Sequence, residues 1–429
     1  MTQKQNSTLP AIIVCILLFG MISFVTNLAS PMGKVLEAQF DVAEWMGKLG
    51  VLCNFIAYAI MGIPAGNLLQ KKGYKFTALT AVAVGFTGVA IQTIAGLLTG
   101  NAAFGVYLLG AFVAGFSMCM LNIVVNPMLN KLAGGGNRGN QLVQVGGSFN
   151  SLMGTATILL TGFLLPDIAK AQISQIFPLM FTALAIFGLA FAVVFFTKIP
   201  ENPNVGSKVV AEKSQYGPMS FRHFVLGAVA IFIYVGIEVG IPNLLNDWLI
   251  DPKYGLGIPA KIAGSVAATY WLLMLVGRLA GAALGAKFSA KTMITAVSGV
   301  GLVLVLGAIF LDPTTTAKFP VFAGNDGFIM PELPINAILL VLCGLCTSVM
   351  WGGIFNLAVE GLGKYTEKGA GIFMAMVCGG GILPFLQGVI VTNAHDYLAS
   401  YWVIIAGLVF LLYYALVGSK NVNKNIPTE

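Results

Sequence analysis

Charged residues are scarce in this sequence. Asp, Glu, Lys and Arg make up 9% of its 429 residues, where a soluble globular chain carries about 25%. With a hydrophobic share of 57%, that scarcity excludes a soluble globular domain and makes the lipid bilayer the chain's solvent. Histidine is scarcer still. There are two, His223 and His395. Both fall at the ends of apolar segments, which argues against a histidine metal site. The six cysteines lie inside apolar runs. Cys343 and Cys346 form a C-x-x-C with no further metal ligand or thioredoxin-like pattern nearby, so all six read as reduced thiols acting as small apolar residues. No H-E-x-x-H, G-x-S-x-G or Walker sequence occurs. The run Gly134-Gly135-Gly136 lacks the strand–turn–helix setting of a phosphate loop. A metalloprotease and an ATP-driven pump are therefore disfavoured, and no cofactor, metal or enzyme activity is expected. The net charge of +7 sits on basic residues scattered over short loops. That pattern fits membrane topology rather than a nucleic-acid face.

Long apolar runs are what the sequence has instead. A spanning helix needs about 20 mostly apolar residues. On that rule twelve segments qualify, at 10–33, 46–70, 76–98, 102–130, 140–165 and 175–197, then 222–248, 258–286, 291–311, 334–360, 369–391 and 398–418. The first is too long for a signal-peptide core and lacks a cleavage site. The expected fold is all-α, with twelve transmembrane helices in two pseudo-symmetric six-helix bundles. Residues 1–198 form one bundle and 221–429 the other. A polar linker at 199–220, rich in Pro, Asn and Gly, lies between them. A second polar stretch, Asp312–Leu333, reads as an external loop. Of the 23 Lys and Arg, sixteen fall on the side of the termini and six on the other. Both termini are thus expected in the cytoplasm and the protein in the inner membrane.

An internal repeat supports two halves. Gly62-Ile-Pro-Ala-Gly66, followed by Lys72, echoes Gly277-Arg-Leu-Ala-Gly281, followed by Lys287. Leu121-Asn122 echoes Phe355-Asn356. The second offset exceeds the first by nearly the length of the Asp312–Leu333 insertion.

The chemistry concentrates in Ile231–Trp248. Glu238 is the one acid placed near the middle of a spanning segment. An ionisable group at bilayer depth persists mainly where it faces a bundle interior or a wet cavity. Tyr234 lies one turn earlier on the same face. Pro242 and Asn243 follow, so the helix is expected to break or kink beyond the acid. Glu238 reads as part of a solute pathway, or as a structural carboxyl bonded to a neighbouring helix. Amides surround it in the sequence pattern: Asn27, Asn122, Asn126, Gln144, Asn150, Asn243, Asn356 and Gln387. Asn122 and Asn126 share a helix face. Trp351, Tyr270 and Trp271 offer rings. Amides, a carboxyl and an aromatic face are what a neutral sugar requires. The same amides also serve as packing glue between helices. Arg278 reads as structural, snorkelling or paired with Glu360.

Gly66–Lys75 (GNLLQKKGYK) resembles, in degraded form, the loop motif of the major facilitator superfamily; its usual acid is absent and Gln70 stands near that place. A narrower resemblance is to the fucose permease family of fucose, glucose and galactose transporters. It is carried by Val125-Asn126-Pro127, Ser148–Ser151 (SFNS), Gly353–Thr366 (GIFNLAVEGLGKYT), Gly379–Pro384 (GGGILP), Gln387-Gly388 and Tyr234–Glu238 (YVGIE). The resemblance implies transport of a polar solute by alternating access and places Trp351 where the fucose permease has a sugar-facing aromatic. It also implies two carboxylates tied to proton coupling, and here those positions hold Ser30 and Asn122.

The resulting expectation is a secondary transporter of a neutral hexose, acting as a monomer and coupled to H+ or Na+, with Glu238 as ligand, coupling group or both. The sequence leaves open a sugar uniporter and an exporter of amphiphilic compounds. An intramembrane enzyme on a lipid-linked sugar would need two cooperating acid–base or metal groups at one depth, and the sequence offers one.

Overall fold

The structure, a computed structural model, describes residues 9–40, 49–164, 172–201, 216–423 and 425–428. A backbone in hydrocarbon has no water to bond, so it satisfies itself as helix. The first half of the chain gives α1 (Leu9–Phe40), α2 (Leu49–Ala95), α3 (Gly100–Leu132), α4 (Gly136–Leu164) and α5 (Phe177–Phe196). The second half gives α6 (Arg222–Ile250), α7 (Ala260–Leu284), α8 (Ala290–Phe310), α9 (Ile335–Thr347) and α10 (Met350–Val359). These are followed by α11 (Thr366–Ala375), α12 (Gly379–Ala394), α13 (Tyr397–Ser400) and α14 (Trp402–Tyr413). Ten stretches among the described residues are long and apolar enough to cross a membrane. One of them, α2, has 47 residues, a length of about 70 Å against a hydrocarbon core of about 30 Å. It therefore holds two crossings. Most of the expected linker lies outside the described residues.

The two crossings of α2 meet at Gly73, with φ 82° and ψ 179°, a conformation that suits glycine. The Glu201 carboxylate accepts the Tyr74 N–H at 2.7 Å and the Lys75 N–H at 2.8 Å. It caps the restarted helix from the first residues of the linker.

Glu201, Lys75, Arg222, Lys364 and the C-terminal residues gather at one end of the molecule, here called the basic face. There the Lys364 N–H donates to the Thr428 carbonyl at 3.0 Å, and the Arg222 N–H to Asn423 Oδ1 at 3.0 Å. At the opposite end the Asp251 carboxylate accepts the Lys253 N–H at 2.7 Å and the Tyr397 hydroxyl at 3.0 Å. These donors, the Lys253 amide first, hold the Asp251 carboxyl below the usual carboxylate range.

Two expectations change. The helix does not break beyond Glu238, since α6 runs unbroken from Arg222 to Ile250 with Pro242 inside it. Proline removes one intrahelical bond, the one to the Glu238 carbonyl, and packed neighbours tolerate that loss in membrane helices. The Asp312–Leu333 stretch is not a plain loop. It forms two short antiparallel pairs, β1 (Thr316–Lys318) with β4 (Glu332–Pro334), and β2 (Val321–Phe322) with β3 (Phe328–Ile329). Buried Val321 and a bond from the Phe322 N–H to Thr269 Oγ1 at 2.8 Å dock it on α7.

The halves meet mainly toward the basic face. A Cβ on Gly62 would stand 2.6 Å from the Gly371 carbonyl oxygen, and one on Gly66 2.8 Å from Gly371 Cα. Small residues let these backbones touch. The Tyr74 hydroxyl reaches Glu367 Oε1 at 3.5 Å, and Asn130 Nδ2 donates to Asn356 Oδ1 at 2.6 Å. Gly277 and Gly281, the repeat partners of Gly62 and Gly66, press instead on Ser348 and Val349 of their own half. The repeat is preserved in position and not in role.

Candidate functional site

Tyr234 and Glu238 lie one turn apart on buried α6, and the Tyr234 hydroxyl donates to Glu238 Oε1 at 2.7 Å. Arg278 on α7 donates through Nη2 to the same oxygen at 3.0 Å. The expected partner of Arg278 was Glu360. That residue lies past the end of α10, where its backbone carbonyl meets His223 Nε2 at 2.8 Å. Arg278 sits two turns inside α7, and a guanidinium at that depth requires a counter-ion. Glu238 is the acid that reaches it. Glu238 is thus a carboxyl in the interior that is bonded to a neighbouring helix.

Arg278 was missed as a site residue, although a signal existed. It follows Trp271 by seven residues, two helical turns, which places both on one face of α7. Its other arm, Nη1, donates to the Gly147 carbonyl at 3.0 Å and approaches Asn150 Oδ1 at 3.4 Å. Both acceptors are on α4, in the first half of the chain. The Asn150 Nδ2 donates in turn to the Phe19 carbonyl at 2.9 Å.

On the other side of Tyr234 stands Trp351, with ring centroids 6.3 Å apart and planes at 62°. That edge-to-face contact is the favoured geometry for two π systems. The Trp351 indole N–H donates across the halves to Asn126 Oδ1 at 3.0 Å. Asn126 Nδ2 donates to the Asn122 carbonyl at 2.9 Å, and Asn122 Nδ2 to the Tyr58 hydroxyl at 2.9 Å. A belt of polar and aromatic groups thus starts on α2 and α3, crosses to the second half at Trp351, Tyr234, Glu238 and Arg278, and returns to the first at α4.

The remaining expected site residues fall elsewhere. Gln144 Nε2 donates to the Val349 carbonyl at 2.8 Å, so it ties the halves together as packing glue. Asn356 does the same with Asn130, and its Nδ2 reaches the Gly136 carbonyl at 3.3 Å. Asn243 is exposed and lies about 140° around α6 from Glu238, away from the belt. Gln387 is fully buried against Gly240, and neither of its amide atoms finds a partner among the described residues. The side chains of Asn27 and Ser30 lie outside the described residues. A crevice of about 460 Å³ lined by Phe76, Leu79, Val84 and Phe191 is apolar and includes none of the belt residues.

Two helical halves meeting along a polar seam are the layout of a membrane carrier. The sequence pattern of the Major Facilitator Superfamily matches residues 11–385, and the chain belongs to that superfamily. It is 28% identical to the glucose/galactose transporter of Brucella abortus biovar 1 (strain 9-941) over 429 residues, spanning 98% of this chain and 97% of that protein. It is 22% identical to the L-fucose-proton symporter of Escherichia coli (strain K12) over 414 residues, spanning 90% of this chain and 87% of that one. The fold superposes with a TM-score of 0.76 on the crystal structure of FucP, a major facilitator transporter in the outward conformation. That match has 19% identity and spans 96% of this chain and 99% of the other. At that identity the likeness speaks for the fold alone.

Proposed function

We propose that the chain is a secondary transporter that carries a neutral hexose across the inner membrane by alternating access, coupled to a cation through Glu238. One observation carries this reading: the belt crosses both halves and holds one carboxylate, whose Oε1 accepts from Tyr234, which packs on Trp351, and from Arg278, which reaches α4 in the opposite half. The full-length similarity to proteins named glucose/galactose transporter and L-fucose-proton symporter supports the substrate class. The basic bias supports a cytoplasmic basic face. With the halves in contact there, this conformation is outward-facing. Residues 1–198 act as one rocking unit and 221–429 as the other, with the sugar held between them.

The amides and rings of the belt suit sugar hydroxyls and C–H faces better than the aromatic and aliphatic lining that an exporter of apolar compounds favours. Glu238 supplies an acceptor for hydroxyls and takes up the coupling cation. The test is uptake of labelled glucose, galactose and fucose into proteoliposomes under an imposed proton or sodium gradient. Accumulation of at least one hexose is expected under one of the two gradients. Equilibration without accumulation would make the protein a uniporter, and no saturable uptake of any hexose would reject the sugar reading.

Trp351 is the expected sugar platform. Its ring is half-buried between Tyr234 and Phe373, and it orients Asn126. Trp351→Ala should raise the half-saturating sugar concentration roughly tenfold, a loss of about 1.4 kcal/mol, with expression nearly unchanged. Unchanged affinity would move Trp351 to the packing of the helix seam.

A further inference from the structure

We infer that Arg278 is the positioning residue that links the charge on Glu238 to the contact between the two halves, by holding Glu238 with one arm of its guanidinium and α4 with the other. The inference rests on the reading of Glu238 as the coupling carboxylate.

The geometry is that of a bridge. Nη2 is 3.0 Å from Glu238 Oε1 on α6, and Nη1 is 3.0 Å from the Gly147 carbonyl on α4. The two anchor points belong to different halves. The side chains of Arg278 and Glu238 are 10% and 12% exposed, so the pair is shielded and weakly screened by salt. The Arg278 stem runs along α4 at Gly147, where a Cβ would stand 3.7 Å from Arg278 Cδ. A longer side chain at residue 147 would occupy the place of the guanidinium. The guanidinium presents two terminal nitrogens in one rigid plane, one to each anchor, where a lysine ammonium presents a single nitrogen.

The charge environment makes this bridge sensitive to one proton. Among the described residues, the titratable and charged groups that face Glu238 are Tyr234 on its own helix and Tyr270 and Arg278 on α7. Neither α10 nor α12, both packed near α6, contains a charged residue. From the loop before α14, Tyr401 spends its hydroxyl on the Ile241 carbonyl at 3.1 Å. Arg278 is thus the one cation facing Glu238 among the described residues, and Glu238 is its counter-ion.

With Glu238 ionised, Arg278 is neutralised and aimed, and its second arm holds α4 against α7. A proton from water on the open side converts the carboxylate to a neutral acid. Arg278 then carries an uncompensated charge in a low-dielectric seam, and its hold on Gly147 weakens as it turns toward water. The population shifts toward separation at the basic face. When the proton leaves to water on that face, the pair re-forms and the halves close again. Bound sugar shifts the same equilibrium further and is not needed for the proton's effect on it.

The test reads the latch without sugar. Cysteines replace Arg138 on α4 and Ser289 after α7, both exposed at the basic face, in a background with the six native cysteines substituted. Spin labels on them report the separation of the halves by pulsed electron resonance in proteoliposomes. The parent should shift toward longer distances as the pH falls from alkaline to acidic. Arg278→Gln should populate the long distance at both pH values, with its pH dependence lost. Arg278→Lys, which keeps the charge and is the variant more certain to fold, should lose the pH dependence too, because one ammonium cannot hold both oxygens. A pH-dependent shift that persists in Arg278→Lys overturns the inference, as does a parent whose separation ignores pH. Because no sugar is present, failure here is distinct from failure of the uptake test.

Discussion

Proteoliposomes carrying Glu238→Gln are expected to lose sugar accumulation against a gradient, down to background. Exchange of labelled for unlabelled sugar should continue at a reduced rate. Glutamine is close to glutamate in shape, and its carbonyl accepts from Tyr234 and Arg278 as Oε1 does. It can hydrogen-bond a sugar hydroxyl, but it cannot take up and release a proton or neutralise a bound cation. Breaking a buried ion pair by removing one partner costs about 3–5 kcal/mol, a large share of a typical folding stability of about 5–15 kcal/mol. Glutamine keeps the hydrogen bonds and so recovers part of that loss, which makes it a better probe than alanine. Vesicles of this variant that still concentrate sugar would remove Glu238 from the coupling role. Ser30 and Asn122 stand at the two positions where the resemblance implies coupling carboxylates, and neither side chain can take up a proton in its place.

The second large effect belongs to Gly371→Leu. At this crossing a Cβ on residue 371 would stand 2.6 Å from the Gly62 carbonyl oxygen and 2.8 Å from Gly66 Cα. Both obstacles are backbone, which cannot swing aside as a side chain tip can. Overpacking of this kind costs about 1–3 kcal/mol, a shift of roughly five- to 150-fold in the closed population. The expected result is failure to close at the basic face, with accumulation near background. A cysteine at Gln141, half-buried where α4 approaches Gly285, should then react faster with an impermeant thiol reagent applied to that face. A cysteine at exposed Ser289 serves as the sidedness control in both backgrounds. Its reaction from outside intact cells would reverse the assignment of faces. Unchanged reactivity at residue 141, with normal accumulation, would show that the Gly62–Gly66–Gly371 contact is not needed for closure.

Much of the site could be read locally. Tyr234 and Glu238 are four residues apart on one helix, so their hydrogen bond follows from helical geometry alone. The same spacing joins Asn122 to Asn126. Trp351 was placed by resemblance, and the structure brings it edge-on to Tyr234. Arg278 was harder. From the sequence it reads as snorkelling or paired with Glu360. The choice between Glu238 and Glu360 depends on which way α7 faces. Gln144, Asn243, Asn356 and Gln387 were grouped with the site because amides at bilayer depth need partners. That rule says a partner exists and not whether it is solute, helix or backbone.

By itself, then, the sequence determined the solvent, the helical architecture, the apolar segments and the residue types of the belt, because each depends on composition or on spacing within one helix. Only the tertiary structure decided that Arg278 joins Glu238 to Gly147, that Trp351 reaches Asn126, and that Glu201 caps the helix after Gly73. Arg278 is 40 residues from Glu238 and 131 from Gly147, Trp351 is 225 from Asn126, and Glu201 is 127 from Tyr74. The physical reason is the bilayer. In water a helix turns its apolar stripe inward and announces its orientation, whereas a spanning helix is apolar on nearly every face. Its rotation and depth are set by the close fit of small residues and by a few polar contacts, which take shape only when the helices are together.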